Sequence, residues 1–321
     1  ALEWIKQNPE AGIISITQND WMGECQCPEC KALKEKEGSS AGPLIYFVNK
    51  VADEINKEYP DFLIETLAYN YTSKLPKFAR PGKNVLIRLC SSSCDYALPL
   101  TDPMNKPFRD ELKGWSSISH NLYIWSYIAN FNNYIYPNPC LPIYGTNIKM
   151  FEQNKAVGVF MQGDSWNEST CFVRLRSWVI SHLLWNPSFN EKALVKEFMD
   201  GYYGSAAPYL SQYLQLVERA YKKHVSSDWM TPDDIYTGQK LFEKAAKAVA
   251  NNPQILERVN RERLPLDYLV IANADRLKEW STVNNKEISG LNDLKASVDA
   301  FIEATKKYNV GAFGENNLIE S

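Results

Sequence analysis

The stretch GPLIYFVNKVADEINKEYPDFLIETLAY, residues 42–69, carries two periodicities in direct succession. In its first part Leu44, Phe47, Val48, Val51 and Ile55 recur at three- and four-residue steps, the spacing of one apolar face of a helix. From Phe62 the pattern changes to FLIETLAY, an apolar run that is nearly continuous. Such a run suits a strand covered on both faces, as in a parallel sheet with helices packed outside it. A helix that feeds directly into a buried strand forms part of a right-handed βαβ unit, so the stretch points to an α/β fold.

The same grammar extends outward in both directions. Upstream stands GIISIT (12–17); downstream come NVLIRLC (84–90), NLYIWSY (121–127) and the run 156–162, AVGVFMQ. Helices are expected over 106–118 and over 144–154, the latter with Ile148 and Phe151 inward. Five strand-like runs exceed a mononucleotide-binding half-domain, and no G-x-G-x-x-G or Walker glycine pattern follows any of them. Beyond the fifth run a helix is expected over 172–184, and from about residue 191 the pattern is helical almost throughout. Candidate helices there span 191–203, 206–224, 231–250, 252–279 (interrupted near Pro265) and 290–308. The Asn186-Pro187 step marks a boundary between an α/β part, residues 1–186, and an all-helical part, residues 187–321.

With 321 residues, 45% of them hydrophobic, the chain can build a substantial core. Charged residues amount to 23% and the net charge is −3, so there is no basic field for nucleic acid and no polybasic run for a membrane surface. No stretch approaches the roughly 18 apolar residues of a membrane span. The opening ALEWIKQNPEAG reads as the tail of a helix entering a loop, so a segment upstream of Ala1 is expected. Seven cysteines leave at least one thiol without an intrachain disulfide partner. Three of them form CQCPEC, with Cys25, Cys27 and Cys30; zinc, disulfide and free-thiol readings all fit. A fourth ligand such as Cys94 would be needed for a closed zinc site, and the second C-x-x-C pair of a zinc ribbon is absent. No metal ligand and no cofactor is assigned from these residues.

In parallel α/β architectures ligands bind at the carboxyl ends of the strands. Here those ends carry Gln18-Asn19-Asp20-Trp21, then Tyr69-Asn70-Tyr71, then Arg88 with Asp95 beyond it, then Trp125, Tyr127 and Asn130, and finally Gln162-Gly163-Asp164-Ser165-Trp166-Asn167-Glu168. Carboxylates, amides and an arginine read sugar hydroxyls, and aromatic rings stack on sugar faces. Nine Trp and 18 Tyr make such stacking plausible, although large cores bury aromatics anyway. Glycoside hydrolysis usually needs two carboxyl groups flanking the scissile bond. Asp20, directly after a buried strand, is the first candidate; its structural alternative is a helix cap or loop brace. Asp164 and Glu168 are candidates for the second carboxyl. Glu65 lies within a strand and could face the barrel interior, although a helix–strand contact is the favoured expectation. Arg88 suits a uronate or sulfate through its fork geometry, or else an ion pair with a neighbouring acid. Tyr69, Trp125, Tyr127, Gln162 and Trp166 complete the candidate sugar contacts. His120, His182 and His224 show no H-E-x-x-H spacing, and there is no G-x-S-x-G elbow.

At SITQNDWMGECQCPECKAL (15–33) and FVNKVADEINKEYPDFLIETLAY (47–69) the chain resembles domain-of-unknown-function family 4838, common in Bacteroidetes. The resemblance continues through NVLIRLCSSSCDYALPL, NLYIWSYIANF, VGVFMQG, LLWNP and GYYGSAAPYL, across roughly residues 10 to 215. It implies a (β/α)₈ TIM barrel distantly similar to α-glucuronidases and β-hexosaminidases, of which the five runs are strands four to eight. Strands one to three, and a further α/β domain, are then expected upstream. Secreted or periplasmic proteins of polysaccharide-degrading bacteria are implied too, with Asp20 where related glycosidases place the general acid. Two departures stand out: Phe160-Met161-Gln162-Gly163 has Met where relatives carry an acid, and Leu98-Pro99 replaces a His-Pro step. The expectation is a glycoside hydrolase using Asp20 with Asp164 or Glu168, or a non-catalytic carbohydrate-binding protein that keeps Tyr69, Trp125 and Trp166 as a stacking platform.

Overall fold

A computed structural model describes residues 1–139, 141–223 and 229–319; Cys140 and His224, and with His224 the end of the helix expected over 206–224, lie outside the described residues. The chain divides into two compact units, one made of Ala1–Tyr127 with Thr146–Gln162 and the other of Ile128–Gly145 with Gly163–Ser321. The main body of the second unit thus begins at Gly163, directly after the fifth strand, and takes in the earlier segment Ile128–Gly145.

The first unit runs α1 (Leu2–Gln7), β1 (Ile13–Ser15), α2 (Pro28–Glu37), α3 (Ala41–Asn56), β2 (Leu63–Ala68), β3 (Val85–Cys90), α4 (Lys106–Ile118), β4 (Asn121–Tyr127), α5 (Tyr144–Gln153) and β5 (Ala156–Gln162), the first residues of α5 belonging to the second unit. All five runs read as strands are strands. They pair in parallel in the order β1-β2-β3-β4-β5 and curl into a half-barrel, the architecture of the C-terminal part of a (β/α) barrel. Among the described residues β1 and β5 are its edge strands.

Alternation divides each strand between two faces. β4 buries Leu122, Ile124 and Ser126 and leaves Tyr123, Trp125 and Tyr127 half-buried. Ile64, Ile87 and Leu89 are buried together with Ile45, Val48, Phe108, Leu112 and Trp115 of the helices. The apolar face of α3 is turned slightly from its expected phase. Ala41, Ile45, Val48, Ala52 and Ile55 are buried, whereas Phe47 is 56% exposed. The small Ala41 and Ala52, which hydrophobicity alone underweights, belong to the buried side.

Helix α2 is an addition to the expected elements. Cys27 caps it, its Sγ accepting the Cys30 N–H at 3.4 Å, Pro28 opens the first turn, and Gly38 in the left-handed region (φ 65°) closes it.

The second unit continues with α6 (Val173–Trp185), α7 (Glu191–Tyr203), α8 (Ala207–Lys223), α9 (Pro232–Ala248), α10 (Pro253–Glu262), α11 (Leu264–Ala272), α12 (Ala274–Asn284) and α13 (Leu294–Lys307). Asn190, Thr231, Asn252 and Asp293 each accept a backbone N–H at a helix start, which satisfies donors left over by the first turn. The expected helix over 252–279 is divided at Pro265, whose ring excludes a continuous backbone ladder, and again near Asn273. The tail is not wholly helical: β6 (Ala312–Gly314) and β7 (Asn317–Leu318) form a small antiparallel hairpin. Among the described residues no helix is long and apolar enough to cross a membrane.

Buried within this unit, Glu262 accepts the Phe172 N–H at 2.9 Å and the Tyr203 hydroxyl at 2.8 Å. Burial raises its carboxyl from 4.5 to about 6, against the opposing effect of those hydrogen bonds. A folded-state value above the unfolded one favours the protonated form, so this contribution to stability is full below about pH 4.5 and is lost as pH rises through about 6. A shift of that size corresponds to roughly 2 kcal/mol. We predict that Glu262→Gln, with Tyr203 turning its hydroxyl to accept from the new amide, remains folded. In urea unfolding between pH 4.5 and 7 the wild type loses about 2 kcal/mol relative to this variant; parallel curves would assign the decline to other groups.

Candidate functional site

In-register residues of neighbouring strands share a face, and the face opposite the helices gathers four of the candidates, Arg88, Trp125, Tyr127 and Gln162. Its rows are Ser15 and Glu65 with Leu86; Leu67, Arg88, Tyr123 and Gly158; Cys90, Trp125 and Phe160; and Tyr127 with Gln162. Gly158 is required there, because a Cβ would stand 2.3 Å from the Tyr123 ring.

Glu65 lies on this inner face and not at a helix contact. It forms an ion pair with Arg88 Nη2 and accepts the Ser15 hydroxyl at 3.2 Å. The Arg88 guanidinium also sits 4.8 Å from the Tyr123 ring centre and 5.6 Å from that of Trp125, within cation–π range. Its Nε is buried with no hydrogen-bond partner among the described residues. The ion-pair reading of Arg88 is thus realised, and one donor of the fork is left over.

The aromatic residues form a connected platform. Trp125 stacks on Tyr127 (centres 6.3 Å apart, 27° between planes), Tyr127 on Tyr96 (5.3 Å, 28°), and Phe160 meets Trp125 edge-on at 5.0 Å. The indole Nε1 of Trp125 donates to Gln162 Oε1 at 2.7 Å, which fixes both side chains. The Tyr127 hydroxyl is hydrogen-bonded to Cys90, and burial raises the values of both groups, that of Cys90 to about 12. Cys90 is therefore a protonated thiol at neutral pH, a hydrogen-bonding partner more than a nucleophile.

Asp20 lies exposed on the loop after β1. The Tyr69 hydroxyl donates to its carboxylate; burial first, and that carboxylate second, raise the tyrosine above its ordinary value. Gln18 clamps the loop from below: its Nε2 donates to the Tyr69 carbonyl at 2.8 Å and its Oε1 accepts the Thr72 hydroxyl at 2.6 Å. Asp20, Tyr69, Arg88, Trp125, Tyr127 and Gln162 all belong to the first unit. The Asp20 and Glu65 carboxylates both act on the Cys90 thiol, so they belong to one electrostatic neighbourhood.

Asp164, Trp166 and Glu168 belong to the second unit. Asp164 pairs with Arg176 at 2.6 Å, the two side chains being 2% and 3% exposed, and it also accepts the Thr170 hydroxyl. Arg176 further donates to the carbonyls of Cys171 and Ile128, so the pair is a structural node, and its acid is poorly suited to catalysis. Glu168 is exposed and accepts from Asn309 Nδ2 at 3.1 Å. Trp166 has a left-handed backbone (φ 64°), costly for a bulky residue, and is 72% exposed. Its carbonyl accepts the Gly311 N–H, and a Cβ at Gly311 would stand 2.8 Å from that oxygen. The indole borders a cavity of about 630 Å³ lined also by Tyr268, Phe301 and Phe313.

Sequence position alone does not single out Cys90, Tyr96, Tyr123 or Phe160. The period-two phase shared with Trp125 would have found Tyr123, and cross-strand register is needed for Cys90 and Phe160.

Fold and site together define a half-barrel α/β protein with a polar and aromatic inner sheet face. The chain belongs to the family described as Domain of unknown function (DUF4838), whose sequence model matches residues 2–215. No curated protein matches it.

Removing one partner of the buried Asp164–Arg176 pair leaves the other charge uncompensated. Asp164→Ala should lower the unfolding free energy by about 3 kcal/mol, read as a shift of the urea midpoint. A shift below about 1 kcal/mol would show the pair to be dispensable.

Proposed function

We propose that the protein is a glycoside hydrolase whose sugar site is the inner sheet face of the first unit, with Asp20 as general acid. The observation that carries this reading is the Trp125–Tyr127–Tyr96 platform, braced by Gln162, in the same unit as the Asp20–Tyr69 pair. Stacked rings offer an apolar surface for a sugar face, and Gln162 and Arg88 offer polar contacts to hydroxyls or a carboxylate. Glu65 supplies the second carboxyl of the face, held by Arg88 as an electrostatic anchor. The barrel strands implied by the family resemblance would pair at the edges of β1 and β5, and a secreted or periplasmic location goes with the same reading.

One observation favours a second reading, carbohydrate binding without turnover. Asp164 and Glu65 are both committed to ion pairs, which leaves Asp20 and Glu168 as the candidate acids with open access.

Glycan-array binding and a hydrolysis panel, run side by side, separate the two. Trp125→Ala should weaken binding about tenfold, equivalent to ~1.4 kcal/mol. Asp20→Asn should bind as the parent does but hydrolyse at least about 100-fold more slowly, the usual scale of general acid catalysis. Binding without turnover in the parent would select the second reading. Binding to no glycan would sink both.

A further inference from the structure

The loop after β1 holds a group of side chains that the sugar site does not use. The Sγ atoms of Cys25, Cys27 and Cys30 lie within 4.8 Å of one another. Three thiolates sharing one zinc at about 2.3 Å stand about 3.8 Å apart in a tetrahedral arrangement, so closure needs only a small adjustment. The spacing is built in by the local fold. Cys27 is the cap of α2, its Sγ already facing the first turn, and Cys30 is placed one turn on. The positive end of this ten-residue helix favours negative charge on the sulfurs.

Two further features narrow the chemistry. The donor set is sulfur alone, with no imidazole or carboxylate among the described members of the cluster, and such a set selects thiophilic ions. A disulfide would consume two of the three sulfurs and leave the third unused, whereas one metal ion engages all three. Cys25 and Cys30 also line a cavity of about 200 Å³ with Gln18, Glu24 and Tyr71. Glu24 is turned to Lys34 and Ser40, so among the described residues no fourth protein ligand closes the cavity side of the cluster.

We propose that Cys25, Cys27 and Cys30 bind one zinc ion, with its fourth coordination position open towards this cavity. The ion ties the loop carrying Asp20 and Trp21 to the start of α2. Cys94, the fourth ligand considered from sequence, stands outside the cluster.

The test uses the full chain, reduced, stripped with a chelator and reloaded with zinc chloride, then desalted and measured for metal content. One zinc per chain is expected. Cobalt substituted into the same site should show intense thiolate-to-metal charge-transfer absorption. Cys25→Ser, Cys27→Ser and Cys30→Ser should each weaken zinc binding at least about 100-fold, and Cys94→Ser should leave it unchanged. The cobalt spectrum of the parent keeps the test decisive even where a variant fails to fold. Absence of stoichiometric metal in the reduced parent, or a cobalt complex without thiolate absorption, overturns the proposal. So does zinc retention at parental affinity in all three serine variants.

Discussion

Strands laid down in sequence order, all parallel, leave little choice about where the connecting helices go. Right-handed crossovers that always step in the same direction place the helices on one face of the sheet. A doubly wound sheet reverses direction and so covers both faces; the order β1-β2-β3-β4-β5 contains no reversal. The inner face is therefore relieved of the requirement to be wholly apolar. That freedom is what admits Glu65, Arg88, Trp125 and Gln162 to a sheet whose other face is built from Ile64, Ile87, Leu89 and Ile124. Period-two alternation does the sorting: β4 gives three side chains to the core and interleaves three aromatic ones for the inner face.

A guanidinium on such a face needs a counter-charge, and Arg88 has Glu65 on one neighbouring strand and the rings of Tyr123 and Trp125 on the other. The arrangement spans β2, β3 and β4. Its contribution is positional more than energetic, since the desolvation of both ions offsets much of their attraction. Arg88 and the Trp125–Gln162 hydrogen bond hold the indole from two sides, and this fixes the plane on which Tyr127 stacks.

The strands were legible because buried parallel strands write nearly continuous apolar runs, and β4 and β5 have the bounds expected from sequence. What escaped has identifiable causes. The buried side of α3 includes the small Ala41 and Ala52, which a pattern of large apolar residues underweights. Helix α2 was hidden because Cys27 and Pro28 read first as chemistry and only second as a cap and first turn. Asp164 and Glu168 looked alike as strand-end acids; only the position of Arg176, twelve residues on, distinguishes a buried ion pair from an exposed carboxylate. For Glu65 the sequence leaves both faces open, because a lone acid in an apolar run carries no record of which face it occupies until the register with Ser15 and Leu86 is known.

Asp20 presents the sharper physical problem, since it stands on an irregular loop between β1 and α2. A reacting carboxylate displaced by about 1 Å can lose two orders of magnitude in rate, so a catalytic role demands that such a loop be held. Upstream, Gln18 ties it to the Tyr69 carbonyl and to Thr72, and the Ile16 N–H bonds to the Glu65 carbonyl at 2.8 Å. Downstream, Glu24 is bound to Lys34 and Ser40, and Cys27 is locked into the first turn of α2. The span left between these anchors is residues 19–23, and Tyr69 holds its acid directly. The cysteine triad begins one residue after Glu24, where the proposed metal ion would stiffen the same span away from the inner sheet face. In the glycosidase reading proposed above, sugar would bind on the aromatic platform of β4 while the placement of Asp20 depends on this loop, and so the two properties can be separated by mutation.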